Sequence, residues 1–303
     1  MSFTTLDSIN TARVAGKVRS QTWTKVVGAA AYTAARWNSL FTLVGDTGAG
    51  TYPGVALTAA TLSDVSGGKE TPGSIYHGGN KSADIKYLMN MEAISAAATI
   101  APSYLLLVDL LAYYPGINMN SALAQTMLSS AAGSNILPTR QGGQHSGANA
   151  FMFLEAAATI GASPFNIAVT YTNSALANPK SLGATVSGVV SSIVPQIVHS
   201  GVAVNNFGPF MPLAAGDRGV ASVQTVQLSG ASGTASTATL VICEPIAALP
   251  IHLAASATVR DFLFTYPRLP QIKDGACLSF LLYTGAALAA TSTLYGAVDV
   301  AWG

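Results

Sequence analysis

Charge is what this sequence most lacks. Of its 303 residues, 14 are Lys or Arg and 13 are Asp or Glu, or 9%, against about 25% in an average soluble protein. The net charge of +1 excludes the strongly basic field that drives nonspecific nucleic-acid binding by a whole chain. Cysteine is nearly absent. Cys243 and Cys277 sit inside separate apolar runs without CxxC spacing. They read as small core hydrophobes of a reducing compartment rather than metal ligands, with a disulfide between them as the alternative. Long hydrophobic runs are missing too, although half the residues are hydrophobic and mean hydropathy is +0.42. The greasiest stretch, 93–114, is interrupted by Pro102 and Asp109, whereas a spanning helix needs about 20 apolar residues with few or no charges. No membrane partner is expected. The first residues lack the basic flank and apolar core of a secretory signal.

What replaces charge is small and neutral: 51 Ala and 29 Gly, with heavy use of Ser and Thr. A free monomer of this kind lacks the surface charge that keeps proteins dispersed, so much of the surface is expected to be covered by other subunits. Between Ser181 and Val259 the only charged residues are Asp217, Arg218 and Glu244. Positions that alternate to Lys or Glu on an ordinary exposed sheet are here Ser, Thr, Gln and Ala, a surface that packs against a neighbour without burying charge.

The apolar runs are short and fenced by Gly, Pro and Ser, as strands are. Val220–Leu228, Thr239–Cys243, Ala276–Tyr283 and Leu294–Trp302 are the clearest, with Ser103–Tyr114, Ala150–Ala156 and Phe165–Thr172 upstream. Pro115-Gly116 reads as the turn ending the Ser103 strand. The expected class is mainly β, a β-sandwich or jelly-roll-like fold. A minor helix is expected around residues 81–98, where Ile85, Leu88, Met89 and Ile94 fall near one helical face, and a short one around 121–130. Three segments are expected: a basic N-terminal arm over 1–45, a first β-rich half over 46–136 and a second sandwich-like half over 137–303, with the two halves open to being one continuous domain. The arm holds Arg13, Lys17, Arg19, Lys25 and Arg36 against Asp7 alone. It reads either as a solvated terminal segment or as a contact to an acidic partner or to nucleic acid.

No constellation for chemistry stands out. Gly48-Ala-Gly50-Thr-Tyr-Pro-Gly54 misses the dinucleotide spacing and carries an intruding proline; Gly68-Lys69 is followed by Glu70 rather than the Ser or Thr of a phosphate loop. His77, His145, His199 and His252 are dispersed, with no metal-ligand spacing. Glu92 and Asp109 are an acid pair that nothing brings together. No catalytic, cofactor-binding or metal residue is therefore assigned, no cofactor is expected, and the chain reads as a non-enzyme.

Several short runs carry a resemblance: Gly216-Asp217-Arg218-Gly219-Val220, Arg260-Asp261-Phe262-Leu263, Leu269-Pro270, Asp274-Gly275-Ala276, the closing Tyr295-Gly-x-Val-Asp-x-x-Trp302, and upstream His77-Gly78-Gly79-Asn80 and Tyr171-Thr172-Asn173-Ser174. Together they resemble virion structural proteins of tailed bacteriophages over about two-thirds of the chain, on short motifs that name no mechanism. The resemblance implies a virion component, assembled in the host bacterial cytoplasm and built as a homo-oligomer. Its partners would be the major capsid protein or other virion proteins, with nucleic acid reached, if at all, through the N-terminal segment. A capsid decoration or cement protein is the first reading. A tail, collar or shell-forming protein is the second, and a host-surface-binding or hydrolytic β-sandwich domain the third. Candidate partner contacts are Arg13, Lys17, Arg19, Lys25, Asp217 and Arg218.

Overall fold

Two long antiparallel strands form the spine of the molecule. In the computed structural model, which describes residues 3, 5–66, 69–97, 102–200, 208–265 and 269–303, these are Ser103–Asn118 and Thr237–Ile251. In chain order the main strands are β1 (Val18–Val26), β2 (Arg36–Ser39), β3 (Lys86–Ser95), β4 (Ser103–Asn118), β5 (Phe151–Ala156) and β6 (Asn166–Asn173). They continue as β7 (Val220–Leu228), β8 (Thr237–Ile251), β9 (Thr258–Asp261), β10 (Leu278–Thr284) and β11 (Thr293–Trp302). A nine-residue helix, α1 (Leu6–Val14), precedes them, its first turn closed by a capping box between Thr5 and Ser8. The class is mainly β and sandwich-like, as the punctuated apolar runs predict.

The central sheet has the order β5-β8-β4-β10-β2, an outer sheet the order β1-β11-β3-β9, and a third sheet is built on β6 and β7. All pairings are antiparallel. The spine serves two cores at its two ends. Leu105 and Leu107 of β4 and Ala247, Leu249 and Ile251 of β8 pack with Trp23, Leu88 and Val298 of the outer sheet. Toward the other end, Leu111 and Tyr114 with Leu240 and Ile242 pack against Ile167, Val169 and Val223 of the third sheet. A third cluster joins Val108, Leu110, Val241 and Cys243 to Phe41 and Leu62 from the loops.

A register shift between Pro245 and Ala247 makes this possible. It changes which alternate residues face the cores, from Leu240 and Ile242 to Leu249 and Ile251, and it accommodates a proline that has no N–H for the ladder. Pro115-Gly116 does not end β4 as a turn. Gly116 takes a φ of +73° within a second irregularity, between Ala238 and Leu240 of β8, and the strand runs on to Asn118.

The helix expected around 81–98 is a strand. Lys86–Ser95 alternates, with Lys86, Leu88, Met91, Ala93 and Ser95 buried, and lies between β11 and β9. The apolar residues fit a helical face and a pleat nearly equally, and two flanking strands supply partners that a lone helix would lack. Ala98, the last residue of that expectation, lies outside the described residues. The short helix expected around 121–130 is also absent; Gln125–Thr126 instead pairs with β7. Most of the basic N-terminal segment is built into the fold, for β1 pairs with β11 along nine residues and β2 closes the central sheet. No helix among the described residues is long and apolar enough to cross a membrane.

Candidate functional site

Between the two cores of the spine lies a seam of charge. Asp109 of β4 and Glu244 of β8 are cross-strand partners, and each recruits cations from elsewhere. Asp109 takes Arg140 in two bonds, Nε to Oδ2 at 2.8 Å and Nη2 to Oδ1 at 2.9 Å, and accepts the Cys277 amide at 2.8 Å. Arg140 also donates to the Leu62 and Leu110 carbonyls. Glu244 holds Lys273 at 2.7 Å and His145 at 3.0 Å through Oε2. Burial alone raises its carboxyl, and the bonds from His145 and Lys273 outweigh that, leaving it below the ordinary value. Arg140 and His145 both come from the short hairpin that pairs Thr139–Arg140 with Gly143–Gln144. This is the stretch that reads as the boundary between halves.

The seam continues toward the outer sheet. Lys86 of β3 is ion-paired with Asp274 Oδ1 at 2.7 Å and donates to Gly79 O at 2.6 Å and His77 Nδ1 at 2.8 Å. Its counterpart Asp274 accepts the Lys81 amide on Oδ2 at 2.9 Å. His77 donates from Nε2 to Ala276 O at 3.0 Å and has Asp64 Oδ2 at 3.4 Å. Burial, then the Lys86 charge, pushes His77 down to about 3, so it stays neutral. Burial also lowers Lys86 and raises Asp64. Most of these groups are hydrogen-bonded or ion-paired, with Asp64 Oδ2 and Asp274 Oδ1 the oxygens that accept no hydrogen bond, and the seam reads as an internal fastening of sheet to sheet. The dispersed histidines and acids give no hint of it in sequence, because their partners are far apart in the chain. Glu92 and Asp109 are not brought together: Glu92 stays on β3 opposite Ala297 and Val259.

A second buried carboxylate stands apart. Glu155 of β5 accepts from Thr42 and Tyr52, each at 3.0 Å, and burial raises it to about 7. Cys243 and Cys277 are buried, free thiols, raised by burial. Among the described residues no group of His, Cys, Asp and Glu is arranged to hold a metal.

The candidate partner contacts divide. Arg13 and Arg19 line one groove of about 540 Å³ between α1 and the outer sheet, together with Asp261 and Asp299. Arg19 also stacks 4.5 Å over Tyr76, and Lys17 is paired with Asp84 at 2.7 Å. Lys25 must be withdrawn from the list. Its side chain points inward and donates to the carbonyls of Leu43, Gly48 and Gly73. Burial lowers it to about 8; alternation along β1 placed it on the core face beside Trp23. Asp217 receives Tyr171 and Asn173, both at 2.7 Å, and Arg218 is exposed.

The outward face of the third sheet carries no charge at its centre. Asn166, Ala168 and Thr170 of β6 and Thr225 and Gln227 of β7 point away from the core, while Ile167, Val169 and Val226 point into it. A shallow groove of about 550 Å³ runs over this face, bordered by Ser181, Leu182 and Thr185.

No family model matches the chain, and no curated protein matches it. Among solved structures, T=1 particles derived from infectious bursal virus superpose with a TM-score of 0.21 at 8% identity, covering 94% of this chain and 77% of that one. The infectious bursal disease virus Gt strain gives 0.20 at 8% identity, covering 94% and 80%. The VP2 subviral particle of infectious bursal disease virus gives 0.20 at 9%, covering 94% and 80%. Superposition this slight carries no argument about fold or function.

Proposed function

We propose that this chain is a non-enzymatic structural component of a virus particle. More finely, we read it as a tailed-bacteriophage capsid decoration or cement protein that binds the major capsid lattice and stabilises it. The observation that carries the reading is where the few charges go. Lys25, Asp64, Lys86, Asp109, Arg140, Glu155 and Asp274 are buried in a chain with only 14 basic and 13 acidic residues. The outer face of the third sheet is left neutral. Such a face meets a neighbour without stripping water from ions. Many copies, each held weakly, add up to a tight hold on a lattice. The phage-like runs in the sequence support the same reading. A tail, collar or shell-forming position draws on the same features.

Cryo-electron microscopy of the assembled particle tests this directly. Density for the chain seated on the capsid lattice through the β6–β7 face is the expected result. Density at a tail or collar selects the second position. A chain absent from particles and monodisperse as a monomer at high concentration would sink the structural reading altogether.

A further inference from the structure

We infer that Lys86 and Asp274 are the two halves of an intramolecular isopeptide bond, formed by the folded chain itself. Three lysine–carboxylate pairs occur among the described residues. Lys17–Asp84 is open to water, with side chains 41% and 25% exposed, and Lys273–Glu244 is partly open at 30% and 18%. Lys86–Asp274 alone is dry, at 0% and 9%, with Nζ and Oδ1 2.7 Å apart. Holding an amine against a carboxyl group in a fixed geometry supplies the proximity that condensation in water lacks. Exclusion of water removes the reagent that would reverse the reaction. Condensation also replaces two buried ions, costly to keep desolvated, by one neutral amide.

The surrounding groups suit the step. His77 donates from Nε2 to the Ala276 carbonyl at 3.0 Å, which leaves Nδ1 as a lone-pair acceptor 2.8 Å from the Lys86 amine. Asp64 Oδ2 lies 3.4 Å from Nε2, on the side of the ring away from the amine. The Lys81 amide holds Asp274 Oδ2 at 2.9 Å, as a donor to the oxygen on which negative charge develops. One proton passes from the Lys86 ammonium to Asp274 Oδ1 across their 2.7 Å contact, and the freed amine attacks Asp274 Cγ. The Nζ–Cγ bond forms and the Cγ–Oδ1 bond breaks. Two of the three ammonium protons end on Oδ1 across the direct contact, one before the attack and one as the adduct collapses, so Oδ1 leaves as water. The third stays on the amide nitrogen, Oδ2 becomes its carbonyl oxygen, and nothing is oxidised or reduced. The bond ties β3 of the outer sheet to the loop that enters β10 of the central sheet. His77, which accepts from the amine through Nδ1, and Asp64 are positioning residues.

The test is the mass of the purified full-length chain under denaturing conditions. The expected mass is one water below that of the sequence, about 18 Da, with proteolysis releasing a branched peptide that joins the Lys86 and Asp274 segments. Lys86→Met and Asp274→Ala should show the full sequence mass, and Asp274→Asn should instead lose ammonia. Followed in newly synthesised chain as it first folds, His77→Gln should slow the mass loss by roughly a hundredfold through misplacement of the amine, a readout that a histidine remote from the reacting groups would leave unmoved. A folded wild-type chain of full sequence mass with unbranched peptides overturns the assignment, and an unchanged rate in His77→Gln overturns the positioning role of His77.

Discussion

Arg140 and Asp109, 31 residues apart in the chain, meet through two parallel hydrogen bonds of 2.8 and 2.9 Å with both side chains almost wholly buried. The pair sits where β4 passes from one core to the other, so it fastens the hairpin at 139–144 to the spine.

Removing one member of this pair strands a charge in the interior. Arg140→Met is expected to lose about 3–5 kcal/mol of stability, read as a lower midpoint in urea unfolding. Arg140→Met combined with Asp109→Leu should recover much of that loss, since the stranded carboxylate is gone. A double variant no better than the single one would mean that Arg140 acts mainly through its bonds to the Leu62 and Leu110 carbonyls.

Glu155 imposes a pH dependence of definite sign. Its carboxyl is raised by burial to about 7, above the ordinary carboxylate value, so the folded chain holds a proton that the unfolded chain releases. The stability it contributes is complete below about pH 4.5 and is lost as pH rises through 7, by roughly 3 kcal/mol. Glu155→Gln should abolish this component. Urea midpoints of both proteins at pH 5 and pH 8 measure it, and the gap between them should widen in favour of the variant at the higher pH.

The buried histidines act with the opposite sign. His77 and His199 are held down to about 3 and about 4 by burial, so the unfolded chain takes up protons that the folded one refuses. Their contribution is present above about pH 6.5 and is lost as pH falls toward 3. His199→Gln, which retains a donor for the Pro209 carbonyl, should flatten part of the acid limb of the stability curve.

Gly296 lies where β11 runs beside β3, and a Cβ there would collide with the Glu92 carbonyl. The ladder holds that carbonyl in place, so Gly296→Ala should cost about 1–3 kcal/mol, seen as a lowered melting temperature. Gly142, with open space around it, provides a contrast only in sterics, because its φ of +96° still penalises a side chain.

Ala168 tests the outer face of the third sheet. It is exposed opposite Gln227, so Ala168→Lys should leave the melting temperature within about 0.5 kcal/mol of stability. The same change should weaken co-sedimentation with capsid particles by tenfold or more, roughly 1.4 kcal/mol. Unchanged co-sedimentation would remove this face from the contact.

Much of the β character was legible without coordinates. Val220–Leu228 is a strand over the very residues its β-branched run marks, and Leu294–Trp302 differs from the observed strand by one residue. Short runs far apart in the sequence also prove to be contact partners: Tyr171 and Asn173 close on Asp217, and the His77 and Asp274 runs converge on Lys86.

By itself the sequence determined that the chain would build sheets from short apolar runs, and that it would have little charge to show. Alternation and turn residues act over a few positions, and composition acts everywhere. Only the tertiary structure decided that 86–95 is a strand, because the flanking strands that pair with it come from the far end of the chain. It alone turned Lys25 inward and drew Asp64, His77, Lys86, Asp109, Arg140 and Asp274 into one seam. Pairings across so many residues depend on how the sheets stack, and no local pattern of side chains encodes that.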